Sequence, residues 1–282
     1  MPGTLFVVAT PIGNLEDITA RALRILAEVS LIAAEDTRRT AHLLARYAIT
    51  TPTTSLHEHN EEKKSASLVA RLSHGESIAL VSDAGTPTVS DPGHRLIAAA
   101  IEAGIRVEPI PGPSAALAAL AASGLPTETF LFLGFPPIKA KDRLAWFDTV
   151  RTANRTVVFF ESPHRIRSTL EQLLARVGDC QVAIGRELTK AHEELVRGPI
   201  SEVINRLVEV RGEFTVVVDI GRMPDNDIKA PGDDIDMAAE FGVLTKHGGI
   251  RRREAIARVA RRHGRTANEV YAAIERVKKL GE

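Results

Sequence analysis

Short apolar runs alternate with helix-forming segments along the first 110 residues, and this alternation restricts the fold more than any other feature of the sequence. Strands that alternate with helices form mainly parallel sheets, and right-handed crossovers bring the loops after the strands to one edge. The pattern therefore predicts an α/β domain with a ligand site at that edge. The runs lie at residues 5–9, 31–34, 54–57, 78–81 and 107–110.

A loop rich in Gly and Pro, at residues 82–87, follows the fourth of these runs. Gly85 allows the backbone to approach a ligand closely, and Asp83 offers a carboxylate to a hydroxyl group or a cation. We expect Asp91 to cap the helix that follows, with Pro92 at its first position. The alternative is an ordinary turn between a strand and a helix, because a single Gly-rich turn is a weak signal.

Helices are predicted between the strands, and a second α/β series follows the first. Asp17 is the candidate cap of a helix at 18–28. After residue 113, an Ala-rich helix at 115–122, with Ser114 as its candidate cap, leads into the second series. The strands and helices of that series are predicted at 129–133, 143–150, 157–160, 166–177, 182–186, 201–210 and 214–220.

The last part of the chain is predicted to be helical after a polar linker at 225–236. The helices are expected at about 236–247, at 250–263, and after a capping box formed by Thr266 and Glu269. The short turn at Gly264 makes this a helix-turn-helix pattern. The side chains expected to face inward are those of Ile256, Val259, Ala260, Val270, Tyr271, Ile274 and Val277.

Charge is distributed unevenly along the chain. The 282 residues have no formal net charge, yet residues 247–282 contain ten Lys/Arg and four Asp/Glu, a local balance of +6. Seven of these arginines lie between Arg251 and Arg265, where they could contact phosphates. The basic segment predicts a polyanionic partner, and a solvated helix surface is the alternative.

Several common classes of function are excluded or disfavoured by what the sequence lacks. The P-loop, zincin and nucleophile-elbow motifs are absent, and the first strand is followed by Gly13 alone rather than by the Rossmann glycine fingerprint. The only cysteine, Cys180, excludes a disulfide framework and a Cys-rich zinc site, and we expect it to be a partly buried structural thiol. Because we find no apolar run of membrane-spanning length and no signal peptide, we expect a cytoplasmic protein without a membrane partner.

Several different short motifs follow one another along nearly the whole chain. Together they resemble the tetrapyrrole-methylase superfamily of S-adenosylmethionine enzymes. Within it, the chain is most similar to the bacterial methyltransferases that modify the 2′-hydroxyl of a cytidine in small-subunit (16S) ribosomal RNA. The motifs lie at residues 10–15, 17–19, 35–38, 82–87, 90–93, 111–115, 133–137, 160–165 and 185–190.

The resemblance implies two α/β domains of tetrapyrrole-methylase type, at 1–113 and 114–224, with the cofactor cleft between them. It also implies a small all-helical, helix-turn-helix-like domain at 225–282, a target in the decoding region, a homodimer and no metal. The cofactor would be S-adenosyl-L-methionine. Its expected binding residues are Pro11, Gly13, Asp83, Ala84, Gly85, Thr86, Ser114, Ala115, Phe160, Phe214 and Thr215.

Methyl transfer to a ribose hydroxyl is an in-line displacement, and a base near the hydroxyl would help because that oxygen is a poor nucleophile. Carboxylates and a histidine follow predicted strands on the ligand side. Capping and solvated turns are the alternative roles, so no single base is assigned. The candidates are Asp36, His59, Glu61 and Glu161, with Glu35 beside Asp36.

Basic residues could form an RNA path across the cleft and along the tail. Aromatic residues make up only 4% of the chain, which favours recognition of small-subunit ribosomal RNA by shape and backbone over extensive base stacking. Two other functions stay open at this point: a tetrapyrrole C-methyltransferase and a nucleic-acid-binding regulator that senses a ligand. The candidate RNA contacts are Arg38, Arg39, His164, Arg165, Arg251, Arg252, Arg253 and Arg262.

Overall fold

The computed structural model describes residues 2–207, 211–221, 231–246, 250–263 and 265–280. The chain divides into two compact units, Met1–Gly221 and Arg222–Glu282, and each is described by itself. Within the described residues, we find no helix with the length and apolar character needed to cross a membrane. The domain boundaries expected at residues 113 and 224 stay a prediction.

The first unit begins with a five-stranded sheet in which all strands are parallel, in the order β3-β2-β4-β1-β5. Helices connect the strands, as the alternation of the sequence predicts. The elements are β1 (Thr4–Val8), α1 (Ala20–Glu28), β2 (Leu31–Ala34), α2 (Thr37–Arg46), β3 (Thr53–Ser55), α3 (Glu61–Ser73), β4 (Ile78–Val81), α4 (His94–Glu102) and β5 (Arg106–Ile110).

The helices cover both faces of this sheet. Ile25 of α1 and Leu43 of α2 pack in one core, whereas Leu68 of α3 and Leu96 of α4 pack in the other. The neighbouring strands β1 and β4 therefore lead to helices on opposite faces. Such a switch point leaves a crevice at the carboxyl ends of the two strands, where open α/β sheets bind ligands.

A second five-stranded sheet follows, in the order β6-β7-β10-β8-β9. Only β6 and β7 are parallel; the other neighbours are antiparallel. The short side chains of Ala116 and Ala119 let α5 pack closely on one face of this sheet. The elements are α5 (Ala115–Ser123), β6 (Phe130–Phe132), α6 (Ala140–Arg151), β7 (Thr156–Glu161), α7 (Ile166–Val177), β8 (Gln181–Arg186), β9 (Glu194–Pro199), α8 (Ile200–Arg206) and β10 (Phe214–Asp219).

Two helix starts differ from the prediction. Asp17 does not cap α1, because it ends a 3-10 turn at Leu15–Asp17, and Thr19 caps the helix by accepting the N–H of Ala22 at 3.1 Å. The helix predicted to start at Pro92 begins at His94, so Asp91 is not its cap.

The amino-terminal amides of α4 are instead satisfied from α3. Glu61 Oε1 accepts the N–H groups of Gly93, Arg95 and Leu96 at 3.1, 2.7 and 3.4 Å. A distant side chain therefore replaces the local cap that the sequence predicted.

The second unit contains α9 (Pro231–Lys246), α10 (Arg252–Arg262) and α11 (Ala267–Leu280). The linker predicted at 225–236 is wrong from residue 231 onward, where the chain is helical; its earlier residues, like Gly264, lie outside the described residues. The capping box is confirmed, with Glu269 Oε2 accepting the N–H of Thr266 at 2.8 Å.

The core of the second unit matches most of the predicted inward positions. Val259, Val270 and Ile274 are buried, together with Met237 of α9. Tyr271 is a correction: it is 50% exposed, because its ring lies on the outer side of α11 under the guanidinium of Arg252.

Candidate cofactor and substrate site

A cavity of about 410 Å³, called the main cavity below, lies between the two sheets of the first unit. Loops after β1, β2 and β4 form one wall, and residues of β7, β10 and the loops beside them form the other. Nine of the eleven predicted cofactor residues line it: Asp83, Ala84, Gly85, Thr86, Ser114, Ala115, Phe160, Phe214 and Thr215. Pro11 and Gly13 line a neighbouring cavity of about 220 Å³. Their roles as cofactor ligands stay a prediction.

The first wall is fixed where the loops after β1 and β4 meet. Thr10 and Gly85 exchange both backbone hydrogen bonds, at 2.9 and 3.0 Å. Gly85 has a φ of 77°, in the left-handed region that favours glycine. A Cβ there would come no closer than 3.5 Å to Ile12, so the backbone conformation rather than lack of space requires the glycine.

The helix α5 presents its amino terminus to the cavity. Ser114 caps it by accepting the N–H of Leu117 at 3.5 Å, and both Ser114 and Ala115 line the cavity. Free amides and the positive end of the helix dipole favour a bound carboxylate at such a position.

Three carboxylates gather on the first wall: Glu35, Asp83 and Asp91. Asp83 Oδ2 lies 3.4 Å from the guanidinium of Arg39, and the N–H of Asp83 donates to Glu35 Oε2 at 3.3 Å. Burial raises the pKa of Glu35. Burial, together with the charges of Glu35 and Asp83, raises the pKa of Asp91 to about 6. Several carboxylates on one wall suit a positively charged ligand, because an opposite charge close by is favourable.

The second wall combines aromatic rings with one buried carboxylate. The ring of Phe160 packs against those of Phe132 and Phe135, with centroids 5.1 and 5.4 Å apart. These rings make an apolar surface suited to a planar heterocycle.

Glu161 is 1% exposed and has four partners. Its Oε1 lies 2.8 Å from the Arg165 guanidinium and accepts the N–H of Ser162 at 2.7 Å, and its Oε2 accepts the Thr169 hydroxyl at 2.6 Å. The Arg143 guanidinium is 3.9 Å away, and burial lowers its pKa. Such a satisfied network makes this part of the wall rigid.

The structure does not bring the four predicted bases together. Only Glu161 lines the main cavity. Asp36 caps α2 and pairs with Arg38 at 2.7 Å, and this hydrogen-bonded pairing holds the pKa of Asp36 below its usual range. His59 is exposed beside the ring of His57, and Glu61 caps α4.

The residues predicted to contact RNA differ from one another in their surroundings. Arg39 lines both cavities, whereas Arg38 is 88% exposed outside them. Arg165 is held by Glu161, and His164 is exposed. In the second unit Arg251 and Arg253 are exposed, Arg252 pairs with Glu275 at 3.1 Å and Arg262 pairs with Glu240 at 3.1 Å.

Some residues of the main cavity were not predicted as part of the site. Asp91 was assigned to a helix cap, and Phe135, Leu188 and Glu213 were not assigned to the cofactor. Asp91 and Phe135 lie inside motifs that carried the resemblance, at 90–93 and 133–137, which was the available signal. Leu188 also lies inside such a motif, at 185–190, whereas Glu213 precedes β10 with no distinctive pattern, so only the fold could place Glu213.

Comparison with known proteins identifies relatives over most of the chain. The family model for tetrapyrrole (corrin/porphyrin) methylases matches residues 4–204. A protein of Halalkalibacterium halodurans named ribosomal RNA small subunit methyltransferase I is 50% identical over 219 residues, 77% of this chain and 76% of that protein. The protein of the same name from Escherichia coli O157:H7 is 41% identical over 274 residues, 95% of this chain and 93% of that protein.

Solved structures of low identity share the fold. A diphthine synthase has a TM-score of 0.61 at 16% identity and covers 77% of this chain and 90% of its own. The uroporphyrin-III C-methyltransferase of Thermus thermophilus complexed with S-adenyl homocysteine has a TM-score of 0.55 at 20% identity and covers 77% of this chain and 98% of its own. The predicted α/β fold with two sheets is confirmed, and the chain belongs to the tetrapyrrole methylase family.

Proposed function

We propose that this protein transfers a methyl group from S-adenosyl-L-methionine to the ribose 2′-hydroxyl of a cytidine in the decoding region of small-subunit ribosomal RNA. The observation that carries the proposal is that one cavity between the two sheets is lined by nine of the eleven residues that were expected to hold the cofactor. The relatives named as small-subunit ribosomal RNA methyltransferases support the substrate.

The cavity has a suitable surface for each part of the cofactor. The rings of Phe160 and Phe214 offer an apolar face to adenine, and the amino terminus of α5 offers amides to the carboxylate. The carboxylates of Glu35 and Asp83 on the first wall favour the positive ammonium and sulfonium groups. A cavity of about 410 Å³ lies within the usual range for sites that enclose a small molecule.

The sulfonium already activates the methyl group, so the main task of the protein is to align the two reactants. The 2′-oxygen attacks the methyl carbon in line with the bond to sulfur, and the cofactor leaves as the neutral thioether. Fixing the two reactants in that geometry can contribute about 7–11 kcal/mol. The bonded loops at Thr10 and Gly85 and the satisfied network around Glu161 supply two rigid walls for this purpose.

The RNA would be held mainly through its phosphates. Arg38 and Arg39 flank the cavity, and the second unit adds exposed arginines of α10 and the residues before it. Basic side chains contact the backbone without reading sequence, so the target would be selected by the shape of the ribosomal subunit. The proposal places the protein in the cytoplasm, where ribosomal subunits are assembled, and includes action as a homodimer.

The test is methyl transfer by the full chain from labelled S-adenosylmethionine to three acceptors: small ribosomal subunits that lack the modification, naked ribosomal RNA and a tetrapyrrole precursor. Label in the ribosomal RNA of the first or second acceptor is the expected result. Label in the tetrapyrrole alone would move the protein to the C-methyltransferases. Cofactor binding without transfer to any acceptor would favour a ligand-sensing regulator.

A further inference from the structure

We propose that Asp91 is the catalytic residue that takes the proton from the acceptor hydroxyl. The inference rests on the proposed function, since it assumes an oxygen acceptor for the methyl group. Asp91 was predicted to cap a helix, and the structure shows that it does not. Glu61 binds the amino terminus of α4, and Asp91 lines the main cavity instead.

Most of the cavity carboxylates are already engaged. Glu161 is surrounded by hydrogen-bond donors, and Glu213 lies 3.0 Å from the ammonium of Lys190. Asp83 pairs with Arg39 and accepts the N–H of Asp36 at 3.0 Å. These groups form the walls of the site and keep few lone pairs for a ligand.

The remaining two carboxylates are Glu35 and Asp91. Glu35 accepts the backbone N–H of Asp83. Asp91, within the described part of the chain, has no basic side chain within 4.0 Å and accepts no backbone N–H. The nearby Ser82 hydroxyl donates to the carbonyl oxygen of Ala84 at 3.3 Å. Its oxygens are therefore the most available to a hydroxyl that enters the cavity.

The loop before Asp91 has an unusual backbone. Thr88 and Ser90 have φ angles of 73° and 70°, in the left-handed region that side chains other than glycine rarely adopt. Val89, Ser90 and Asp91 all line the cavity. Strain of this kind is found where surrounding structure holds a loop in a functional conformation. Here the bonds from Glu61 to the start of α4 hold the far end of the loop.

The proton transfer balances the charges of the reaction. The O–H bond of the ribose breaks and its proton passes to the Asp91 carboxylate, while the oxygen electron pair forms the bond to the methyl carbon. The bond between that carbon and sulfur breaks with its electrons left on sulfur. A carboxylate and a sulfonium thus become a neutral acid and a neutral thioether, and Asp91 returns its proton to water after the product leaves.

The surroundings of Asp91 suit this role. Burial and the charges of Glu35, after β2, and Asp83, after β4, raise its pKa to about 6, and the nearby Ser82 hydroxyl opposes the rise. Arg39 of α2 faces the same wall, and Glu161 and Glu213 line the opposite one. Asp91 is a stronger base than an ordinary aspartate and is still ionised at neutral pH, as a general base needs to be.

The experiment compares the wild-type protein with Asp91→Asn in single-turnover transfer to the ribosomal acceptor, with cofactor affinity measured separately by calorimetry. We expect the transfer rate to fall by about 10²–10⁴-fold, with a change in cofactor Kd below about 3-fold. Asp148→Asn, on the exposed side of α6, is the matched carboxylate-to-amide control and should keep full activity. If the wild-type protein modifies no ribosomal acceptor, the proposed function fails before Asp91 is tested.

A pH profile separates proton transfer from a structural role. In the wild-type protein kcat/KM should decline as the pH falls through about 6. The residual rate of Asp91→Asn should lack the decline. The inference is overturned if Asp91→Asn keeps a rate within about 3-fold of wild type, if its loss is entirely in cofactor affinity, or if its residual rate keeps the same decline with pH.

Discussion

Glu61 Oε1 accepts the backbone N–H of Arg95 at 2.7 Å, and this bond joins the start of α3 to the start of α4. Two further amides of α4 share the same oxygen. These bonds lie outside the cavity and fix the end of the loop that carries Asp91 into α4. It also explains why residue 91 is free for another role.

Replacing Glu61 should destabilise the fold. Glu61→Ala removes the acceptor of several buried amides and should lower the free energy of unfolding by about 1–3 kcal/mol, measured by urea denaturation. Glu61→Gln keeps one acceptor oxygen and should cost less. The neighbouring Glu62 is exposed and bonds only the Arg95 side chain, so Glu62→Ala should change stability by less than about 0.5 kcal/mol. Equal losses for the two alanine variants would contradict the capping role.

Replacing Glu161 should lower the free energy of unfolding more than replacing Glu61. Glu161→Ala leaves the partly buried Arg143 and Arg165 without their carboxylate, and loss of one partner of a buried pair costs about 3–5 kcal/mol. Thermal unfolding should show the loss. Asp148→Ala, which breaks an exposed pair with Arg151, should cost at most about 1 kcal/mol and serves as the comparison. A loss no larger than that of Asp148→Ala would show that the network does not support the wall.

Gly13 controls the contact between the two sides of the first unit. A Cβ at this position would lie 2.8 Å from Thr189 Oγ1 and 3.0 Å from the carbonyl oxygen of Leu188, and would overlap the side chain of Lys190. Gly13→Ala should therefore displace the segment that contributes Leu188 to the cavity and weaken cofactor binding by about 1–3 kcal/mol in calorimetry. Gly242→Ala adds a Cβ in open space and should leave cofactor affinity unchanged. Full affinity in Gly13→Ala would contradict the close packing described.

Three exposed arginines of the second unit are the strongest candidates for phosphate contacts: Arg251, Arg253 and Arg261. Among the described residues none of the three has a carboxylate within 4.0 Å. Their combined replacement by Ala should weaken subunit binding and reduce the slope of log K against log salt by about 2, because each lost phosphate contact contributes about 0.7–0.9. Arg258→Ala, whose side chain pairs with Glu254 at 3.0 Å, should have a smaller effect. An unchanged salt slope in the triple variant would exclude these contacts.

The ionised carboxylate of Asp91 should lower the free energy of unfolding at neutral pH. Its pKa is raised to about 6 in the folded protein, so the folded state holds this proton more tightly than the unfolded chain does. Its contribution therefore favours folding at low pH and is lost as the pH rises toward about 6. Asp91→Asn should raise the free energy of unfolding at pH 7.5 by about 1–2 kcal/mol, after allowance for solvent screening. The gain should vanish near pH 4, and a variant that is less stable than wild type at pH 7.5 would contradict the shift.

Much of the fold was predictable because local periodicity and tertiary structure agree. The alternation of apolar runs with helices gave the parallel sheet, and the Ala-rich segment gave the closely packed α5. The edge strand β9, Glu194–Pro199, was missed because its charged residues, Gly198 and Pro199 hide the strand pattern. Strand pairing with β8 along its whole length creates it.

The site was predictable as a set of loops but not as a set of roles. Nine cofactor candidates line one cavity, and those of the first sheet come together because loops after parallel strands share an edge. Asp91 is available for function because Glu61, 30 positions earlier, binds the start of α4 in its place. No local sequence pattern indicates this contact. Asp36 is the opposite case. Helix capping was the alternative to its proposed role as a base, and in the structure Asp36 does cap α2.

The position of the transferred methyl group tests the central claim most directly. Ribosomal RNA labelled by the full chain would be hydrolysed in alkali, and the labelled products identified by mass. A 2′-O-methyl group removes the hydroxyl that alkaline cleavage needs. The account therefore predicts label in one alkali-resistant dinucleotide that begins with cytidine. Label released in a mononucleotide, which would place the methyl group on a base, or label on a ribose other than that of cytidine would contradict it.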